Sequence, residues 1–207
     1  MASKPAKNKQ SEKLHGLTWL SVPAVLQIVS TFMVFIVGRL RLLPSHIDAN
    51  GIAISFASDG TRYQSESVEL IQTLARDGIV AWFKSAPSFH VKVYSLSYAA
   101  LGRLVGFNIL AVEPLNVLFY LATICIVFKL GRELFSREVG ILSAAIVAVW
   151  PSFLLHSTQL LRDPLFIALW LLLILYSFKV ADEKSSVASR RNDCNACGHG
   201  KSVSLDS

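Results

Sequence analysis

Charge is scarce in this sequence. Asp, Glu, Lys and Arg make up 16% of its 207 residues, against 53% hydrophobic, where a soluble domain carries about 25% charged. The apolar residues cluster in runs longer than a soluble core of this size can bury. That excludes a soluble globular domain and a disordered regulator. Cysteine is scarce too: three residues, Cys125 inside an apolar run and Cys194 and Cys197 in the tail, too few and too scattered for a secreted disulfide scaffold. The Cys194-x-x-Cys197 pair is followed by His199, but zinc needs a fourth ligand and none lies nearby; the pair reads as two free thiols, and no metal is expected. Gly-rich phosphate loops, HExxH and GxSxG are all missing, and no cofactor is expected. The formal charge of +6 would by itself admit nucleic acid, but the placement of the basic residues assigns it to membrane topology, so the expected partner is the bilayer.

What is present is a series of membrane-length segments. Residues 1–16 form a basic N-terminus with Lys4, Lys7, Lys9 and Lys13. Leu17–Gly38 follows without a formal charge, long enough to span as a helix. It ends in Gly38-Arg39-Leu40-Arg41 rather than a small-x-small cleavage site, so an uncleaved anchor is expected. Three more spans are expected at Pro114–Phe128, Val139–His156 and Pro164–Phe178, the second containing Pro151, which membrane helices tolerate. Apart from Asn116 and other small polar groups, these spans carry no ionised residue at mid-membrane, which argues against an ion path.

Phe89–Phe107 is interrupted by Lys92 and Arg103. Lys92, Ser95, Ala99, Gly102, Arg103 and Gly106 fall on one stripe at helical spacing, a pattern that suits a helix lying in the membrane plane. Basic residues decide between four spans and five. With four, residues 1–16, the turn at 129–138 and the tail from 179 hold 12 of the 20 Lys and Arg. The expected fold is therefore all-α and polytopic, with about four transmembrane helices. Both termini are cytoplasmic, a membrane domain covers 17–180, and a disordered tail covers 181–207. Residues 39–112 become one long outer loop, a length usually reserved for function. In it, Asp59-Gly60-Thr61 opens an amphipathic helix to Arg76, with Asp77-Gly78 as its stop, and Trp82 and Phe83 fit an aromatic belt.

Topology puts two acids, Asp59 and Asp163, on the same side. A carboxylate there can serve as general base towards a hydroxyl, and cations can hold a phosphate. The basic candidates are Arg62, Lys92, Arg103 and Arg162, with His90 and His156 near the same level. Simpler readings compete. Asp163-Pro164 is a helix N-cap followed by Pro at the first helical position, and Asp59 caps a Asp-Gly turn equally well.

Taken in order, these pieces resemble the N-terminal portion of the GT-C glycosyltransferases, in the protein O-mannosyltransferase-like group that includes lipid A aminoarabinose transferases. Asp59-Gly60-Thr61-Arg62-Tyr63 is similar to the family's acid-rich DExxY element in the first outer loop. Tyr94-Ser95-Leu96-Ser97-Tyr98 through Gly106 is similar to its interfacial stretch. Gly131-Arg132-Glu133-Leu134-Phe135-Ser136-Arg137 matches its inner turn, Trp150-Pro151 its proline-bearing span end, and Leu161-Arg162-Asp163-Pro164 its second outer turn. The family's second acid is Gly60 here, and its later spans are missing. The resemblance implies a sugar transferred from a polyprenyl-phosphate donor to an extracytoplasmic acceptor at a plasma (inner) membrane. It gives Asp59 as base, Asp163 as second acid, and Lys92 with Tyr63, Arg62 and Arg162 as substrate-binding residues, with a partner supplying the missing spans. The alternative is a truncated, non-catalytic protein that binds lipid or a partner through its outer loop.

Overall fold

A computed structural model describes the backbone over residues 8–199 and side chains over 19–181. Seven helices follow one another: α1 (Asn8–Arg39), α2 (Asp59–Lys84), α3 (Phe89–Val105), α4 (Ile109–Leu134), α5 (Arg137–Val149), α6 (Pro151–Ser157) and α7 (Asp163–His199). Among the described residues there is no β-strand, only a single bridge between Ile47 and Ala53. The protein is all-helical, as expected.

Three segments are long and apolar enough to cross a membrane: Trp19–Arg39 of α1, Ile109–Leu134, and Asp163–Ala181 of α7. The pair α5 and α6 makes a fourth if its 63° bend is one broken span. The bend sits at Trp150-Pro151 because proline has no N–H and drives the residue before it out of helical conformation; Trp150 is extended at φ −66°, ψ 113°. The break frees carbonyls in an apolar setting, where an unpaired one is costly. Tyr120 of α4 answers one of them, its hydroxyl donating to the Ala148 carbonyl at 2.6 Å. The turn between α4 and α5 closes on glycine: a Cβ on Gly131 would lie 2.7 Å from the Cα of Gly140, so the Gly-Arg-x-Leu-Phe turn is in the first place a packing device for α4 against α5. The lipid-ready surface is large, with Val22, Val25, Phe32 and Met33 exposed on α1 and Phe166, Leu169, Trp170 and Leu173 on α7.

The long loop is folded onto the bundle. Its core joins Ile47, Ile52, Tyr63, Leu70, Trp82, Val91, Tyr94 and Tyr98 to Val34 of α1 and to Ile109, Ala111 and Val112 of α4. Three expectations are corrected here. α2 does not end at Arg76: Gly78, at φ +82°, kinks the chain, and helix resumes to Lys84. That positive φ suits glycine and few other residues. Trp82 is buried rather than belted, because its indole N–H donates to Ser95 Oγ at 3.0 Å. The polar stripe of α3 is accordingly split, Ser95 and Gly102 being buried while Leu104 is 81% exposed. α3 is not among the helices long and apolar enough to span. At the other end, helical backbone continues beyond Ala181 to His199, through residues that the sequence reads as a disordered tail; the Cys194 and Cys197 side chains lie outside the described ones.

Candidate functional site

Asp59 and Asp163 stand at the starts of α2 and α7, each one residue inside its helix. Ser58 occupies the cap of α2 without a side-chain bond. The Arg162 carbonyl accepts the amide of Phe166 at 3.0 Å, which gives Arg162 the cap position of α7. Neither acid is thus the N-cap that the sequence allowed. As first-turn carboxylates they still face the positive helix end.

The two chain segments leading into these acids are bound to each other. Gln159, fully buried, accepts from the Ala53 amide at 2.8 Å and donates to the Gly51 carbonyl at 3.3 Å and to Thr158 Oγ1 at 3.0 Å. Ala53, Ala57 and Leu161 pack together. Tyr94 ties the turn from the side of α3, its hydroxyl lying 2.9 Å from the Leu161 carbonyl and 3.2 Å from Asn116 Oδ1. The sequence reading missed Gln159 and Tyr94, because a glutamine in a short turn carries no signal until its distant partners are known.

Tyr63 is the hub between the acids. It is buried, its hydroxyl donates to Asp59 Oδ2 at a long 3.4 Å, and its ring meets His90 edge-on at 4.7 Å. Burial first, then the Asp59 charge, pushes the Tyr63 hydroxyl above its ordinary pKa, with Arg162 pulling it down. Burial first, then Arg162, pushes His90 below its ordinary value against the opposing pull of Glu66 and Asp163. One electrostatic neighbourhood thus holds Asp59, Tyr63, His90, Arg162 and Asp163. Arg162 pairs only loosely with Asp163, at 3.9 Å.

Two other candidates are less central. Arg62 is exposed and bonded to Glu66 at 2.7 Å, a contact that raises its pKa. Lys92 stands apart: its Nζ donates to the Phe83 carbonyl at 2.6 Å and lies 5.6 Å from the centre of the Phe83 ring. It secures the resumed end of α2. Arg103 is exposed, and the His156 ring donates from Nδ1 to the Ser152 carbonyl of its own helix at 2.8 Å and neighbours Phe56.

A groove of about 520 Å³ opens beside the hub. Phe89, His90, Arg162 and Asp163 form its head, and Leu165, Phe166 and Leu169 continue it along α7 into the apolar span. A second, more polar groove of about 370 Å³ lies between Arg62, Glu66, Glu69 and Thr73 of α2 and the Ser85–Ser88 turn. Among the described residues no cluster of His, Cys, Asp and Glu is disposed to hold a metal ion.

A further acid escaped the sequence reading. Glu113 lies inside the candidate span Ile109–Leu134, close to its start and away from its middle. It is 7% exposed, and its carboxyl faces Thr31 of α1 without a well-formed hydrogen bond to either oxygen; Gln27 Nε2 and Asn116 Nδ2 are buried and unpaired as well. Placing the span's start at Pro114 hid it by a single residue.

No curated protein and no solved structure matches the chain significantly. Residues 93–188, a little under half of the chain and including Arg162, Asp163, the turn between α4 and α5 and Trp150-Pro151 but not Asp59, match the family model described as dolichyl-phosphate-mannose-protein mannosyltransferase, a membrane glycosyltransferase family of the GT-C type.

Proposed function

We propose that this protein is a membrane glycosyltransferase that takes a sugar from a polyprenyl-phosphate donor and delivers it to an extracytoplasmic acceptor. The observation that carries the reading is the groove headed by Arg162 and running along Leu165, Phe166 and Leu169 of a membrane-length helix. A cation above an apolar track is what an amphiphile with an anionic head requires. In the proposed step the acceptor oxygen attacks the anomeric carbon, its proton passes to Asp59, and the bond from that carbon to the phosphate oxygen breaks. The electron pair leaves with the phosphate, and Arg162 stabilises the departing charge. Tyr63 orients Asp59, Asp163 orients Arg162, and Arg62 lines the acceptor side. Lys92 contributes to phosphate binding only by leaving the Phe83 carbonyl.

The distribution of Lys and Arg supports cytoplasmic termini and an outward-facing loop in a plasma (inner) membrane. The exposed apolar faces of α1 and α7 are where further spans or a partner chain would pack. Membership of the aminoarabinose-transferase-like subgroup belongs to the same proposal, resting on the Asp59–Tyr63 element. The test is transfer from a radiolabelled polyprenyl-phosphate sugar in membranes containing this protein over a null background. Transfer that depends on Asp59 supports the reading. Donor binding without transfer leaves the non-catalytic, lipid-binding alternative.

A further inference from the structure

We propose that His90 determines donor specificity by hydrogen-bonding a hydroxyl of the sugar next to the phosphate; the inference rests on the donor reading above. His90 lines the head of the groove together with Arg162 and Asp163, and the edge-on contact with Tyr63 fixes its ring. Its Nε2 is closed off from solvent and has no hydrogen-bond partner, a cost for a polar atom that pairing removes. A half-turn of the ring about its Cβ–Cγ bond exchanges Nε2 with Cε1 and keeps the ring plane against Tyr63, so the nitrogen changes sides without loss of that contact.

The charge around the ring defines the partner. Glu66 and Tyr63 face it from α2, and Arg162 and Asp163 from the start of α7. With burial and Arg162 prevailing over the two carboxylates, the imidazole is neutral at neutral pH. A neutral imidazole carries one N–H and one lone pair. Phosphate oxygens only accept, so they pair with the N–H alone and find in the charged Arg162 the stronger partner. A hydroxyl both donates and accepts and satisfies either tautomer. A hydroxyl held beside a guanidinium-bound phosphate is the chemistry of a sugar phosphate.

The test compares binding of polyprenyl phosphate and of polyprenyl-phosphate sugar to the full chain in nanodiscs. Wild type should prefer the sugar-bearing lipid several-fold, up to about tenfold, at neutral pH. The preference should fade as pH drops through the lowered range of His90, because the imidazolium loses its lone pair and becomes a second cation that favours bare phosphate. His90→Phe, which keeps the ring contact with Tyr63, should erase the preference and retain polyprenyl phosphate. His90→Gln should keep a preference whose pH dependence shrinks to that of the monoester's own second ionisation at about pH 6. A preference unaltered in His90→Phe, or a pH dependence in His90→Gln as large as in wild type, overturns the proposal. Equal binding of both lipids by wild type sinks this inference alone. Binding of neither sinks the donor reading with it.

Discussion

Gln159 Oε1 accepts the amide proton of Ala53 at 2.8 Å, across 106 residues of chain. Through this bond the stretch entering Asp59 and the turn entering Asp163 become one piece of structure. Gln159→Leu keeps the volume and removes every bond, leaving the Ala53 amide and Gly51 carbonyl buried without this partner. Each such group costs about 1–3 kcal/mol, so the detergent-solubilised protein should melt several degrees lower. Thermal unfolding followed by circular dichroism checks this; an unchanged transition would show that the clamp is dispensable.

Asp59→Asn should reduce sugar transfer by about 10²–10⁴-fold, the usual loss when a general base is removed. Asp163→Asn should cost less, since its contact with Arg162 is loose and exposed. Lys92→Ala should affect activity mainly through the position of Phe83. Initial rates of transfer at saturating donor, with membrane insertion checked by immunoblot, separate these effects. Equal losses in all three would point to a folding defect.

Glu113 faces Thr31 without a well-formed hydrogen bond to either oxygen. Glu113→Gln removes the ionisable group at constant shape and should leave stability unchanged or raised. Glu113→Ala opens space in the helix contact and should lower stability by about 2 kcal/mol. Parallel melting curves of the two variants give the comparison, and a strongly destabilised Glu113→Gln would mean that the carboxyl has an essential partner.

Topology can be read by labelling. Cysteines introduced at Ser65 and Ser88, both exposed in the loop, should react with a membrane-impermeant maleimide from outside intact cells. A cysteine at Ser136, in the turn between α4 and α5, should react only after permeabilisation. Reaction of Ser136Cys from outside would require the orientation to be redrawn.

The spans were legible in the sequence because an apolar run of membrane length has few other uses. The proline break and the glycine-lined turn also left local marks. The burial of Trp82 did not, because it depends on Ser95 of another helix. Gly78 reads as a stop in the sequence and is a kink in the structure, because a kink and an end look alike until the residues beyond are placed. Asp59 and Asp163 stand out in the sequence because the expected topology puts them on one side, and the structure sets both in one charged neighbourhood. The contact of His90 with Tyr63 left no mark, because it joins rings of two different helices. Lys92 was chosen for its charge, whereas its geometry is set by a carbonyl that no spacing rule reveals.

The core of the loop borrows Val34 from one membrane helix and Ile109, Ala111 and Val112 from another. An excised loop of residues 40–108 would therefore be a fragment with its hydrophobic centre torn open, prone to aggregate in water. Crystallisation, antibody selection or ligand screening against this region has to keep the bilayer-embedded helices attached.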